Sequence, residues 1–325
     1  MTKKLLQFAV TIVLFFGILS NLVKADEPTK FRLVLLPDTQ IYARAFPDTF
    51  YAQTDWIVKN ADTITYVLHQ GDITDNNVEK QWEVASKALH TLDGKVPYSL
   101  AHGNHDLGKN GSTDSRDSTF LNQYFPYDDY SKIKGFGGAY EVGKIDNTWH
   151  TFRAGGKNWL VITLEFGPRN CVLDWAKKIV EEHPNHKVIF NTHAYMYSDD
   201  TRMGPGDNWL PQDYPIGKET GENAVNDAEQ MWEKLVSKYP NIMFVFSGHV
   251  LFDGTGFLVS EGEHGNKVYQ ILANYQMKKD GGEGFLRIVT FDTANKKIEV
   301  ESYSPLLDQF NKDADQQFVI ENVEF

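Results

Sequence analysis

Short apolar runs alternate with amphipathic segments along most of the chain after residue 30. Six runs are rich in β-branched and aromatic side chains, which is typical of buried strands: Phe31–Leu36, Thr63–His69, Val96–Ala101, Trp159–Leu164, Val188–Asn191 and Ile242–Phe246. Apolar residues recur at helical spacing in three segments between them: Trp82, Ala85 and Leu89; Leu173, Ala176 and Val180; Met231, Leu235 and Tyr239. This alternation of strands and helices predicts a layered α/β fold.

The C-terminal part of the chain and two polar segments follow different patterns. Gly284–Phe291 and Ile298–Tyr303 flank the polar stretch Asp292–Lys297, which predicts a hairpin. Gly103–Tyr130 and Gly204–Glu222 are rich in small and polar residues without apolar periodicity, so each predicts a long loop. Long ordered loops are often functional, although two mobile surface excursions would have the same composition.

The N-terminal segment has the layout of a secretory signal. Two lysines precede the uncharged run Leu5–Val23, and Ala25 stands where a cleavage site needs a small residue. We therefore predict a signal peptide over residues 1–25, a single domain over residues 26–325, and a secreted or periplasmic location. The alternative is an uncleaved membrane anchor. Polar residues dilute the apolar run, so we expect no stable membrane span after cleavage.

Composition and charge narrow the classes of protein. Of the 325 residues, 41% are hydrophobic and 23% are charged, which is globular and excludes a disordered or coiled-coil chain. Removing residues 1–25 lowers the 32 basic residues to 29 and deepens the net charge from −12 to −15. We therefore expect no general binding to the phosphate backbone of a nucleic acid. Nothing in the pattern predicts an oligomer, and the lone Cys171 cannot form an intramolecular disulfide.

Five apolar strands end in a side chain that could bind a metal ion. These side chains are Asp38, Asp72, Asn104, His193 and His249. Any one of them alone is more often a cap or an ordinary loop residue. Because ligands of α/β sheets gather at the carboxyl ends of strands, five such residues in this order predict one common site.

The strings that contain these residues resemble a known family in their order and composition. They are Pro37-Asp38-Thr39-Gln40, Gly71-Asp72-Ile73-Thr74-Asp75, Gly103-Asn104-His105-Asp106, Asn191-Thr192-His193 and Ser247-Gly248-His249-Val250. The set resembles the calcineurin-like metallophosphoesterase superfamily, and Leu164–Arg169 and Leu272–Gln276 resemble its secreted bacterial branch. The resemblance implies a four-layer α/β/β/α sandwich of two mixed sheets. It also implies a hydrolase that uses two divalent metal ions.

The resemblance also implies a role for each position. Asp38 and Gln40 would face the first metal, Asp72 would bridge the two ions, and the second metal would be held by Asn104, His193 and His249. Two cations can neutralise the phosphoryl oxygens and lower the pKa of a shared water, so that a metal-bound hydroxide attacks in line. The implied partner is therefore a phosphate mono- or diester.

Four further residues are candidates for catalysis or substrate binding. His105 is predicted to be the general acid, because a departing alkoxide needs a proton and imidazole titrates near neutral pH. In the family, the carboxylate at the position of Asp75 orients that histidine; the alternative is that Asp75 caps a helix beginning near Asn76. Arg169 and Arg202 are predicted to bind the substrate phosphate, the alternative being ordinary surface arginines.

Two positions depart from the superfamily pattern, and both affect the first metal site. Gln40 stands where many members have histidine, and Leu251 stands where the usual Gly-His-x-His string ends in histidine. An all-oxygen first site predicts weak binding of Mn, Mg or Ca, whereas the imidazoles of the second site suit Zn, Mn or Fe.

Three hypotheses for function follow from these departures. The leading one is an exported metal-dependent phosphoesterase. The second is a phosphodiesterase with one tightly held metal. The third is a secreted, non-catalytic binding protein that contains metal. The presence of a general-acid candidate argues against this third hypothesis.

Overall fold

Fourteen strands form the two central sheets of the computed structural model, which describes residues 28–325. They are β1 (Lys30–Leu36), β2 (Tyr66–His69), β3 (Tyr98–Leu100), β4 (Phe136–Ala139), β5 (Thr148–Ala154), β6 (Lys157–Thr163), β7 (His186–Asn191), β8 (Ile242–Ser247), β9 (Thr255–Glu261), β10 (Lys267–Ala273), β11 (Leu286–Asp292), β12 (Lys297–Ser304), β13 (Gln309–Asn311) and β14 (Gln317–Ile320). The predicted signal peptide lies outside the described residues.

Seven α-helices accompany the strands within the described residues, together with short 3₁₀ turns. They are α1 (Gln40–Ala45), α2 (Pro47–Lys59), α3 (Glu79–Leu89), α4 (Thr119–Tyr124), α5 (Tyr127–Tyr130), α6 (Asn170–Glu182) and α7 (Ala228–Lys234). Local sequence sets several of their starts. Helix α2 begins with a proline at its first position, and Asp227 caps α7 by accepting from the Gln230 amide.

Each sheet is mixed, with a parallel centre and antiparallel margins. The first has the order β13-β12-β11-β1-β2-β3, with β14 also paired to β12. In it β1, β2 and β3 are parallel, while β11 and β12 form the antiparallel hairpin that the C-terminal pattern predicts. The second sheet has the order β4-β5-β6-β7-β8-β10-β9, in which β6, β7, β8 and β10 are parallel.

The alternation of side chains along the strands separates three apolar cores. In β1, Leu33 and Leu35 pack between the two sheets with Trp159 of β6, whereas Val34 and Leu36 face the helices on the other side. A third core lies between the second sheet and α6 and α7. Each large apolar side chain that leaves water in these cores contributes about 1.5–3 kcal/mol. The predicted four-layer α/β/β/α arrangement is therefore confirmed.

Most predicted elements are present, and two predictions about the helices and loops need correction. The six predicted strands appear as β1, β2, β3, β6, β7 and β8, with ends shifted by up to three residues. Helix α7 ends at Lys234 and does not reach Tyr239, because Leu235 leaves helical backbone angles with φ −140°. The segment Gly103–Tyr130 is a loop only in its first part, since α4 and α5 bury apolar side chains from its second part.

None of the helices between residues 28 and 325 combines the length and the apolar character that crossing a bilayer requires.

Arg287 of β11 links the two sheets through a fully buried side chain. Its guanidinium donates to the carbonyl of Leu272 on β10 at 2.9 Å, to Gln316 Oε1 at 3.0 Å and to Ser302 Oγ at 3.2 Å. It also donates to the Tyr275 hydroxyl at 3.1 Å. These four acceptors are all neutral, so the charge of Arg287 is stabilised by hydrogen bonds from both sheets.

We expect Arg287→Ala to lower the free energy of unfolding by about 2–5 kcal/mol, because it leaves a cavity and several buried acceptors without a donor. Urea denaturation followed by circular dichroism measures this loss. The control is Arg32→Ala, an exposed arginine on the neighbouring strand β1, which should change stability by less than about 0.5 kcal/mol. Equal effects of the two substitutions would contradict the linking role of Arg287.

Candidate metal centre

The predicted ligands follow five strands, three in the first sheet and two in the second. Asp38 follows β1, Asp72 follows β2, Asn104 follows β3, His193 follows β7 and His249 follows β8. All five are buried, with exposures of 6% or less. The carboxyl ends of the parallel strands of both sheets therefore meet at one edge of the sandwich.

The ring of His193 lies at the centre of this group. Its Nε2 atom is 3.2 Å from Asp72 Oδ1, 3.2 Å from Asn104 Oδ1 and 3.1 Å from Nδ1 of His249. Ligand atoms of Asp72, His193 and His249 all lie within 4.8 Å of one another. The fold thus brings four predicted ligands into one cluster, although Asp72 and His193 are 121 positions apart in the sequence.

The hydrogen bonds at the far side of each imidazole determine what the cluster can bind. His193 donates from Nδ1 to the carbonyl of Gln70 at 2.8 Å, and His249 donates from Nε2 to the carbonyl of Trp209 at 2.9 Å. Because neutral imidazole carries one N–H, both inward-facing nitrogens then present lone pairs. Four acceptor atoms of Asp72, Asn104 and the two histidines would repel one another unless a proton or a metal cation lies between them. This donor set fits a divalent metal ion.

The pKa values of the two histidines follow from the same crowding. Burial lowers the pKa of His193, but the charges of Asp72 and Asp38 and the hydrogen bonds to Asp72 and to the Gln70 carbonyl together outweigh burial and raise it to about 9. Burial and the neighbouring His193 lower the pKa of His249 to about 3. One proton on His193 would therefore relieve the repulsion between the two rings, and a metal ion would take the place of that proton.

Asp38 is attached to the cluster through the backbone. Both of its carboxylate oxygens lie 3.2 Å from the amide nitrogen of His249, which donates to them. Burial raises the pKa of Asp38, and the charge of Asp72 adds to the rise, whereas His193 and His105 hold the pKa of Asp72 below its usual range despite burial. Two neighbouring buried carboxylates can both ionise only with a compensating cation.

The ligand loops have unusual backbone geometry. Asp38, Asp72 and His249 have φ values of 33°, 46° and 73°, a region that non-glycine residues seldom occupy. At Gly71, φ is 99° and an added Cβ would lie 2.5 Å from His193 Nδ1. At Gly103, an added Cβ would lie 2.0 Å from Asp72 Oδ1. Such conformations cluster at functional sites, and here glycine is needed for the ligands to approach one another.

His105 lies at the edge of the cluster with one ring nitrogen fixed. Its amide donates to Asp72 Oδ1 at 2.9 Å, and its Nδ1 donates to the backbone carbonyl of Asp75 at 2.7 Å. Burial lowers the pKa of His105, but the Asp72 charge and the hydrogen bond to the Asp75 carbonyl outweigh burial and raise it overall. Nε2 is therefore the nitrogen left to exchange a proton with a bound molecule.

The predicted contact between Asp75 and His105 exists, but through a different atom. The carboxylate of Asp75 is paired with Arg44, whose Nη1 lies 2.7 Å from Oδ2, so it does not orient the histidine. The alternative that Asp75 caps a helix near Asn76 is wrong, because α3 begins at Glu79 after Val78. Asp75 thus positions His105 with its backbone carbonyl.

The two arginines predicted to bind phosphate are held by protein carboxylates. Arg169 forks onto Glu165, with Nε 2.8 Å from Oε1 and Nη2 3.1 Å from Oε2. Arg202 lies 3.1 Å from Glu229 and stacks over Trp232 at 4.4 Å. Each guanidinium has an anionic partner in the fold and is mostly buried, and the role of both residues in substrate binding stays a prediction.

The predicted first metal site includes an oxygen without a partner. Gln40, the first residue of α1, is 4% exposed, and its Oε1 atom has no hydrogen-bond donor among the described residues. A buried amide oxygen without a donor is costly, and a cation would satisfy it. Asp253, a candidate replacement for the histidine absent at Leu251, is exposed and accepts from the amide of Thr255 at 3.2 Å.

Two buried residues that hold the ligand loops were not assigned a role from the sequence. Asp106 accepts from the amides of Ile73 at 3.0 Å, Thr74 at 2.8 Å and Gly103 at 2.9 Å, which joins the loops after β2 and β3. His69 lies 2.9 Å from the hydroxyl of Thr39 and 3.2 Å from the amide of Gly71. Asp106 follows His105 directly in the Gly-Asn-His-Asp string, and that was the available signal.

Comparisons with known proteins agree with this arrangement. A sequence model of the family described as calcineurin-like phosphoesterase matches residues 31–253. The chain is 30% identical over 308 residues to "Uncharacterized protein YvnB" of Bacillus subtilis (strain 168), covering 90% of this chain and 21% of that protein. It is 23% identical over 309 residues to "Probable inactive purple acid phosphatase 24" of Arabidopsis thaliana, covering 82% of this chain and 46% of that protein. The chain therefore spans less than half the length of either relative.

A solved structure extends the similarity to the fold. The purple acid phosphatase PPD1 from yellow lupin (Lupinus luteus) seeds is similar with a TM-score of 0.51 and 16% sequence identity, covering 90% of this chain and 55% of that one. The matched residues 31–253 contain all six predicted metal ligands and His105. By this match over most of its length, the chain belongs to the calcineurin-like phosphoesterase family.

Proposed function

We propose that this protein is an exported, metal-dependent phosphoesterase that hydrolyses a phosphate mono- or diester with His105 as general acid. The observation that carries the proposal is the group of three acceptor atoms within 3.2 Å of His193 Nε2, an arrangement that fits a divalent metal ion. Family membership supports the substrate class. The proposal of export rests on the signal-like layout of residues 1–25. The proposal that the chain belongs to the secreted bacterial branch rests on the resemblance in sequence.

The donor atoms divide into two sets of different chemistry. The second metal would be held by Asp72, Asn104, His193 and His249, a mixed nitrogen and oxygen set that suits Zn, Mn or Fe. The first would be held by Asp38, Gln40 and Asp72, which all offer oxygen and suit Mn, Mg or Ca. Bound at these positions, two divalent ions supply the charge that neutralises phosphoryl oxygens and makes water a better nucleophile.

His105 contributes a positioned proton. Its Nδ1–H is held by the Asp75 carbonyl and its amide by Asp72, so the ring stays beside the ligand cluster. With Nδ1–H engaged, Nε2 carries a proton in the imidazolium form, which the raised pKa of His105 favours, and this is the proton that the leaving oxygen of an ester needs. Proton transfer of this kind contributes about 10²–10⁴-fold to a rate.

A panel of phosphate mono- and diesters, assayed on the purified protein with each of several divalent cations, tests the proposed function. The proposal requires hydrolysis of at least one ester, dependence on a divalent cation, and loss of turnover after chelation. Tight metal binding without hydrolysis of any ester would favour the non-catalytic binding protein. N-terminal sequencing of exported protein tests the export, and the mature chain should begin near Asp26.

The altered first site favours a variant of this function with one tightly held metal. We expect dialysis to remove the first-site ion and leave the second, because only the second site has imidazole ligands. Millimolar-order Mn, Mg or Ca should then restore activity, and Leu251→His should tighten the first site by adding an imidazole.

Elemental analysis before and after dialysis, paired with activity, measures this difference between the two sites. Asp253→Ala is the matched control, because the Asp253 carboxylate caps a loop amide and should not affect metal retention. Two equivalents of zinc or iron retained by the unmodified protein would show that the first site is as tight as the second.

A further inference from the structure

A cluster of three aromatic side chains, Tyr197, Trp209 and Phe252, lies near the loop that carries His249. Tyr197 and Trp209 are half-buried against the core, and Phe252 faces solvent. The ring of Phe252 is 5.4 Å from that of Trp209 and 6.0 Å from that of Tyr197. Phe252 is 57% exposed, although a phenylalanine of this size is normally buried. The cluster therefore has an open aromatic face.

Two connections fix the cluster relative to the metal ligands. The carbonyl of Trp209 accepts from Nε2 of His249 at 2.9 Å, and Phe252 follows His249 by three residues in the same loop. Tyr214 lies on the same histidine, with its ring 6.3 Å from that of His249. The cluster therefore borders His249 on the side away from the other ligands, where a substituent of a bound phosphate that extends past His249 would meet it.

Two residues of the cluster have a strained backbone conformation. Trp209 has a φ of 65° and Phe252 a φ of 64°, both in the left-handed region. For residues other than glycine this region costs about 1–2 kcal/mol, and bulky side chains are rare there. Because Phe252 is exposed, burial of its ring offsets little of this free-energy cost. Strained backbone of this kind is concentrated at binding and catalytic sites.

We propose that Phe252 and Trp209 form a stacking platform for a planar aromatic group on the leaving side of the phosphate ester. The proposal rests on the proposed function and names its substrate class. Aromatic rings stack with centroids 4.5–7 Å apart, and the open face of Phe252 can accept one such ring. An aryl group and a nucleobase share this chemistry.

The charges near the platform limit the substrate further. Asp253 directly follows Phe252, Asp207 lies two residues before Trp209, and the chain as a whole carries −12. These carboxylates disfavour a second phosphate beyond the ring. The substrate class that these charges favour is therefore an ester with one phosphate and one uncharged aromatic group.

The test compares kcat/KM for an aryl phosphate, a nucleoside phosphate and an alkyl phosphate in the wild type and in Phe252→Ala. Loss of the stacking ring should lower kcat/KM for ring-bearing esters about three- to tenfold and leave the alkyl ester unchanged. Because each ester is compared with itself between proteins, differences in leaving-group reactivity cancel. The matched control is Phe310→Ala, which removes a ring that is 43% exposed on β13 and should leave all three esters unchanged.

The arms of this experiment separate the outcomes. A loss confined to the nucleoside ester or to the aryl ester identifies which aromatic group the platform accepts. Equal losses on all three esters, or no loss, would overturn the platform while leaving the proposed function intact. If no ester is hydrolysed, the proposed function fails, and calorimetric binding of the same three phosphates then tests the platform. Tighter binding of the ring-bearing phosphates to the wild type than to Phe252→Ala would support the platform. Equal binding to the two proteins would overturn it.

Discussion

His193→Ala is expected to lose the tightly bound metal ion and ester hydrolysis together. The Nε2 atom of His193 lies within 3.2 Å of three other candidate metal-ligand atoms, on Asp72, Asn104 and His249. Its removal leaves three donors that no longer surround one point. Loss of groups that merely orient ligands lowers metal affinity about 10–100-fold, so loss of this ligand should exceed that range.

Elemental analysis and ester hydrolysis on the same preparation measure both losses. His264→Ala is the matched control, because that histidine is exposed and its Nε2 atom lies 3.0 Å from the carbonyl of Lys238, so metal and activity should be retained. His249→Ala should repeat the result with a second ligand, and circular dichroism should confirm that both variants remain folded. Full metal content in a folded His193→Ala protein would remove this residue from the metal centre.

His105→Ala is expected to keep its metal and lose about 10²–10⁴-fold in rate on esters with poor leaving groups. The ring of His105 donates to the Asp75 carbonyl, whereas the hydrogen bond to Asp72 comes from the backbone amide of His105. The ligand cluster therefore does not depend on the ring. An activated aryl phosphate should lose much less, because its leaving group departs without a proton. Equal losses on both kinds of ester would contradict the general-acid role.

Asp75→Asn is the control that separates the two ways of holding His105. The substitution keeps the backbone carbonyl that accepts from Nδ1 and removes the charge that pairs with Arg44. We therefore expect a much smaller loss of rate than in His105→Ala. A loss as large as that of His105→Ala would mean that the carboxylate turns toward the histidine during the reaction.

The gathering of ligands was predictable because it depends on a rule that acts along the chain. A buried parallel strand is recognisable as an apolar run, and the residues that follow such strands must meet at one edge of the sheet. Asp72, Asn104, His193 and His249 obey this rule, and their predicted cluster is present. The layer order was likewise implied by the family resemblance and is confirmed by the three separate cores.

The positions of the arginine and aspartate partners were not predictable, because they depend on which side chains the fold places opposite one another. Arg169 pairs with Glu165, which the sequence shows four residues away but does not orient. Arg202 meets Glu229 only after the segment between them has folded. For Asp75, a sequence string names the residue in contact with His105 but cannot distinguish its carbonyl from its carboxylate.

The backbone conformation of the ligand loops could not be predicted from local residue propensities either. His249, Trp209 and Phe252 occupy left-handed conformations that their side chains disfavour, so the sequence alone indicates nothing unusual at these positions. The surrounding fold imposes these angles, and the aromatic platform became recognisable only from them and from the exposure of Phe252.

Anomalous X-ray scattering from crystals of the purified protein tests the metal centre most directly. Data collected on both sides of the absorption edge of the metal found by elemental analysis should place an ion among His193 Nε2, His249 Nδ1, Asn104 Oδ1 and Asp72 Oδ1, the atoms that cluster here. The distances from this ion to the two nitrogens should be about 2.0–2.1 Å if it is zinc. An anomalous peak elsewhere in the protein, with these four side chains bound only to one another, would contradict the account.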